Sequence, residues 1–158
     1  QGDEPMLKPD MISKVIKPLI KEKKECSVLA MDIENKEQYL NQDIVKIVHD
    51  LKGRVLYTSR SPIPHTKKFS KKIGAKRIYG IFAFTYKFLK TFALTKPSHL
   101  ENVEACDSNR ICDHYSNQYI AKYKFFPSYS VDTPEDLKKV EKSIKKDNLF
   151  KKYSKNKH

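Results

Sequence analysis

Apolar residues recur along KPDMISKVIKPLIKEKK at Met11, Ile12, Val15, Ile16, Leu19 and Ile20, with charged residues between them. This spacing predicts an amphipathic helix opening near Pro9 and Asp10, and Pro18 predicts a kink or an end to it. CSVLAMDI follows a charged break as a run of small and branched apolar residues, the pattern of a buried strand. DIVKIVHDLKGRVLYTSR holds two apolar runs separated by DLKG, where Gly53 permits the positive backbone angle of a tight hairpin turn.

SPIPHTKKFSKKIGAK is polar, basic and broken by two prolines, and reads as a loop or lid reaching over a site. RIYGIFAF resumes as a strand and YKFLKTFAL as a short helix. Ser98 and Glu101 stand three apart, the spacing of a reciprocal helix cap, so a helix is predicted from about Leu100. QYIAKYKFF alternates as a strand does. A last helix is predicted with Thr133 as cap, Pro134 in first position, Glu135 and Asp136 in the first turn, and Leu137, Val140 and Ile144 on its buried side. Strands alternating with helices predict an α/β fold whose mixed sheet is mostly parallel, with flanking helices and a β-hairpin excursion. KKYSKNKH is predicted as a disordered polar tail.

A chain of 158 residues with 39% hydrophobic content suits one domain. Thirty-two Lys and Arg against nineteen Asp and Glu leave +13, which brings polyanionic partners into consideration: nucleic acid, a nucleotide or an acidic membrane face. The lysines are spread along the chain without a zinc-finger or RNA-binding signature, which favours a solvated, Lys-rich surface. No apolar stretch approaches the roughly 20 residues needed to span a bilayer, and no signal-peptide pattern opens the sequence. The expectation is a soluble cytoplasmic protein. Three cysteines in irregular spacing argue against a disulfide framework. His99, Cys106, Cys112 and His114 lie close in sequence, but their spacing matches no compact zinc pattern.

Two aspartates sit at strand-to-loop transitions, Asp3 in QGDEP and Asp132 in SVDTPEDL. Ligands of open α/β sheets bind beyond the carboxyl ends of strands, and hard carboxylate oxygens suit Mg²⁺ with phosphate oxygens completing its shell. Against this, Asp132 can help cap a helix and Asp3 can satisfy its own turn. Arg60 directly follows a strand, where a guanidinium can fork onto a carboxylate, or it is a surface arginine beside a proline turn. Glu101 and Glu104 suit solvated or capping roles better than a site. No Gly-rich phosphate loop, nucleophile elbow or kinase signature is present. The opening Gly-Asp-Glu-Pro usually ends a buried strand, so the chain is expected to start inside a larger fold.

QGDEPM, YTSRSPIP, HLENVEACDSNR and YSVDTPEDLKKVE, in this order, resemble successive motifs of the CMP-Kdo synthetases, the 3-deoxy-manno-octulosonate cytidylyltransferases. The resemblance runs from residue 1 to 148 and implies a partial cytidylyltransferase domain there, with a basic polar tail over 149–158. It implies a nucleotide-diphosphosugar-transferase-like α/β fold with its N-terminal nucleotide-binding part missing. It further implies a homodimer that couples CTP to the 2-keto sugar acid Kdo, giving CMP-Kdo and pyrophosphate for lipopolysaccharide or capsule synthesis. Matching motif to motif, Asp3 and Asp132 become the catalytic Mg²⁺ ligands, and Gln1 and Arg60 hold the sugar acid. The family's acidic–Gln pair falls on Asp107 and Ser108. Ile78 and Phe82 stand where the family typically has a sugar-contacting His and Tyr, which keeps a related eight- or nine-carbon sugar acid as an alternative. The chain alone is expected to be inactive, with neither nucleic acid nor membrane as partner. The rival is a noncatalytic basic protein that binds nucleic acid.

Overall fold

The run CSVLAMD becomes the spine of a sheet. This strand, β1 (Cys26–Asp32), is buried from Cys26 through Met31, as expected of a strand covered on both faces. The structure is a computed structural model in which residues 2–114, 116–127, 130–131 and 133–154 are described. Four more strands complete the sheet: β2 (Lys46–His49), β3 (Val55–Ser59), β4 (Lys76–Phe84) and β5 (Tyr119–Tyr123), in the order β3-β2-β4-β1-β5. Val28 and Ala30 of β1 gather with Ile47, Val55 and Ile120 into a core cluster. Ser27, one position out of phase, turns to the other face and donates to the Val15 carbonyl at 2.5 Å.

Val15 belongs to α1 (Pro9–Glu22), which covers that face. Pro18 does not end the helix, which continues to Glu22. Met11, Val15 and Pro18 are its buried residues, so the ring lies on the packed side and its burial offsets the missing amide hydrogen bond. Lys23, at φ 53°, turns the chain out, and the Lys24 amide returns to the Pro18 carbonyl at 3.1 Å.

The α/β architecture is as expected, but the mostly parallel sheet is corrected. Among the described residues β1–β4, β2–β3 and β2–β4 pair antiparallel, and β1–β5 is parallel. The reason lies in the connections. A turn at Gly53, φ 80°, sends β3 straight back along β2, and β4 then runs against both β2 and β1. β5 is reached through α3 (Tyr86–Leu94), α4 (His99–Glu104) and α5 (Asp107–Asp113), enough chain to come back parallel to β1. The hairpin is thus part of the main sheet. The proline-rich loop between β3 and β4 does not hang free. Phe69 and Ile73 pack on Ile33, Ala75 and Tyr39 of α2 (Lys36–Leu40), and the Tyr39 hydroxyl donates to the Pro64 carbonyl.

Two compact units divide the chain, residues 9–125 with the sheet and α1–α5, and residues 1–8 with 126–158. In the latter, Thr133 caps α6 (Pro134–Ile144), accepting from the Asp136 amide at 3.2 Å. Val140 is buried, but Leu137 is 47% exposed rather than inward-facing. The tail KKYSKNKH, predicted from sequence as disordered, contributes its first four residues, 151–154, to α7 (Asn148–Ser154), and 155–158 lie outside the described residues. None of the residues of α7 is buried, and the Asp147 carboxylate caps its start by accepting from the Leu149 amide at 2.6 Å.

Candidate functional site

The carboxyl end of β3 runs Tyr57-Thr58-Ser59 and hands the chain to Arg60. Each of these residues is tied to α4 or α5. Glu104, the last residue of α4, accepts from the Tyr57 hydroxyl at 2.6 Å, the Ser59 hydroxyl at 2.8 Å and the Arg60 amide at 2.9 Å. Burial alone would raise the Glu104 carboxyl, but these donors and the Arg60 charge hold it below the usual range. The same contact pushes Tyr57 up to about 12. Fully buried Asn109 of α5 accepts from the Thr58 amide and hydroxyl at 3.1 and 2.8 Å and returns its Nδ2 to the Thr58 carbonyl at 3.0 Å.

Arg60 is held at every polar group. Its carbonyl accepts from Lys46 Nζ at 2.6 Å, Nε donates to the Glu104 carbonyl at 3.0 Å, Nη1 to Gln42 at 3.0 Å and Nη2 to Ala105 at 3.2 Å. A guanidinium carries five N–H donors. One N–H therefore remains on each terminal nitrogen. Lys46 is fully buried and spends its other two N–H groups on Asn41 and Ile44 carbonyls at 2.6 and 2.8 Å. Burial and then the Arg60 charge push Lys46 down to about 8.

Helix α4 opens as its sequence foretells. The Ser98 hydroxyl accepts from the Glu101 amide at 3.2 Å and Glu101 Oε2 accepts from the Ser98 amide at 3.1 Å. Glu101 is also forked by Arg110, through Nε at 2.7 Å and through Nη2. The Arg110 hydrogen bonds hold the Glu101 carboxyl below its usual value.

Asp107 is exposed in the first turn of α5, whereas neighbouring Ser108 is fully buried and its hydroxyl has no hydrogen-bond partner among the described residues. Ile78 and Phe82 pack against the core cluster, so the side chains at these two positions contribute apolar surface.

In the other unit, Glu4 accepts from the Ser130 hydroxyl at 2.9 Å and the Asp3 carbonyl accepts from the Val131 amide at 2.9 Å. Asp3 Oδ1 and Glu4 Oε2 are buried and receive no hydrogen bond among the described residues. A desolvated carboxylate oxygen without a donor is costly, and a hard cation relieves that cost, so this donor set fits Mg²⁺. Gln1 and Asp132 lie outside the described residues. Among the described residues no group of three or more His, Cys, Asp or Glu is gathered for a metal. His99, Cys106, Cys112 and His114 form no such site. The Cys106 sulfur lies 3.2 Å from the Thr58 hydroxyl oxygen, and burial raises both Cys106 and Cys112, the latter to about 11.

Sequence reasoning missed Lys46, Asn109 and the gripping role of Glu104. Asn109 lies within a quoted motif, and Lys46 offered the one available signal, a charge in an otherwise apolar strand.

A mixed sheet flanked by helices, with a held arginine just past the end of one strand, defines an α/β protein. A family model described as Cytidylyltransferase matches residues 1–123, and the chain belongs to that family. It is 34% identical over 149 residues to a 3-deoxy-manno-octulosonate cytidylyltransferase of Thermodesulfovibrio yellowstonii, covering 91% of this chain and 58% of the relative. The enzyme of the same name from Serratia proteamaculans is 34% identical over 151 residues, covering 92% and 61%. A solved structure of CMP:2-keto-3-deoxy-manno-octonic acid synthetase complexed with CTP superposes with TM-score 0.81 at 25% identity, over 92% of this chain and 59% of that one. The chain thus spans about 60% of the length of the relatives it matches. No helix among the described residues is long and apolar enough to cross a membrane.

Proposed function

We propose that this chain serves in CMP-Kdo synthesis, coupling CTP to Kdo with release of pyrophosphate. The observation that carries the reading is Arg60. It stands at the carboxyl end of a strand, immobilised on both sides, with one N–H left on each terminal nitrogen for a sugar-acid carboxylate. The family match and the names of the relatives support it.

In this reaction the anomeric hydroxyl of the sugar acid forms a bond to the α-phosphorus of CTP, its proton leaves to solvent, and the bond from that phosphorus to the bridging oxygen breaks. Arg60 holds the sugar carboxylate and thereby fixes which hydroxyl faces the phosphorus, a contribution of positioning. Gln1, Asp107 and Ser108 are assigned to the same sugar acid. Asp3 and Asp132 are the assigned Mg²⁺ ligands, with Glu4 beside Asp3. The ion supplies charge neutralisation on the phosphate oxygens. The setting is cytoplasmic lipopolysaccharide or capsule synthesis by a homodimer. Support for self-association comes from α3, where Phe88 and Phe92 stack on Phe84 while Tyr86, Leu89 and Leu94 remain exposed.

Isothermal titration of the chain with Kdo tests the reading. Arg60→Lys keeps the charge but loses the fork, so affinity should fall by about tenfold. Equal Kdo affinity in wild type and Arg60→Ala would sink the assignment. Ile78 and Phe82 on the core favour one second reading, a related 2-keto sugar acid that asks less of these positions. Titration with N-acetylneuraminate alongside Kdo separates the two, since the true substrate binds more tightly.

A further inference from the structure

We propose that Glu104 and Lys46 are positioning residues for Arg60, which together hold the two peptide groups that flank its Cα. This rests on the reading of Arg60 as the sugar-acid residue. The Glu104 carboxylate takes the Arg60 amide at 2.9 Å, and the Lys46 ammonium takes the Arg60 carbonyl at 2.6 Å. A charge-assisted hydrogen bond thus sits on either side of one residue, and such bonds are about twice as strong as neutral ones. Rotation about the Arg60 backbone would break one or the other. The guanidinium is then aimed by backbone carbonyls alone: Glu104 at the end of α4, Ala105 just after it, and Gln42 from the loop before β2.

That geometry matters for chemistry. A surface arginine samples many rotamers and loses that freedom on binding a carboxylate, whereas an arginine already held has little left to lose. The hydrogen-bond partners of the Arg60 guanidinium are neutral carbonyls, so no carboxylate among the described residues occupies its N–H groups. The Glu104 carboxylate takes the Arg60 amide and no guanidinium N–H, so the remaining N–H on each terminal nitrogen is left for an anionic ligand. Lys46 braces the loop that supplies Gln42, since it holds Asn41 and Ile44 carbonyls with its remaining N–H groups. Burial depresses its proton affinity, while the three carbonyls it donates to stabilise the ammonium form.

Nuclear magnetic resonance of the Arg60 Nε–Hε group in the intact 158-residue chain tests this without any ligand. In wild type the Hε signal should be dispersed and protected from exchange. Glu104→Gln and Lys46→Met should each speed Arg60 Hε exchange by roughly tenfold while the Asn109 side-chain amide, bound to Thr58, keeps its shift and protection. Tyr57→Phe, which removes one donor to Glu104 and no backbone contact, is the mild variant should either of these fail to fold, and it should loosen Arg60 in the same direction. Unchanged Arg60 exchange in the folded variants overturns the proposal, as does loss of Asn109 and Arg60 protection together, which marks a general stabilising role. Kdo is then added to wild type. If Arg60 loosens in the variants but Kdo shifts no Arg60 resonance, the positioning stands and the sugar-acid reading fails.

Discussion

Asn109 meets all three polar groups of Thr58 with its amide, so one side chain fastens α5 to the strand that ends in Arg60. Removing it leaves buried donors and an acceptor unpaired, and Asn109→Ala should cost about 2–4 kcal/mol, read from urea denaturation. Arg110 holds the folded-state Glu101 carboxyl below its ordinary value of 4.5, so the unfolded chain binds that proton more readily than the folded one. The stabilisation is therefore complete above pH 4.5 and is lost as pH falls through the folded value. Wild type and Glu101→Gln should differ by a constant stability near neutrality, and the gap should close below pH 4.5. A gap that widens in acid contradicts the assignment. The Glu101 cap was legible because Ser98 lies three residues away, whereas the Asn109–Thr58 contact spans 51 residues, a distance no local spacing encodes.

At the scale of elements, the tight turn between β2 and β3 depends on Gly53, held at φ 80°. A Cβ there meets Ile120 Cγ1 at 3.4 Å, in addition to the cost of a left-handed backbone. Gly53→Ala should destabilise by roughly 1–2 kcal/mol, measured by thermal or urea unfolding. An unaltered midpoint would show that the turn tolerates a side chain. Helix α3 leads to the other element-scale expectation. Leu89 is 45% exposed on a helix that buries no residue, so, on the proposed homodimer, Leu89→Asp should lower the mass found by light scattering coupled to gel filtration, and an unchanged mass removes α3 from the interface. Strand and helix positions were readable because period two and period 3.6 are written locally. The direction of each strand was not, because β4 chooses its partners β1 and β2 by pairing across the sheet, and periodicity carries no sign for that choice.

The whole molecule carries +13, and exposed lysines run from Lys138 to Lys152 along α6 and α7. Such a surface attracts any polyanion, so bare affinity for nucleic acid cannot separate the sugar-acid reading from a basic binding protein. Salt dependence can. A single-stranded nucleic acid releases several counterions on binding, and its affinity falls with a slope of about −0.7 per phosphate neutralised on a log–log plot. One carboxylate on Arg60 is one ion pair, with a slope no steeper than about −1. Raising salt from about 50 to about 200 mM should therefore weaken Kdo binding by no more than about fourfold, while RNA binding falls by orders of magnitude. Lys138→Glu with Lys142→Glu should weaken RNA further and leave Kdo untouched, because neither lysine is among the hydrogen-bond partners of Arg60. Kdo binding that tracks RNA binding through both changes would place the sugar acid on the lysine surface and remove Arg60 from the site.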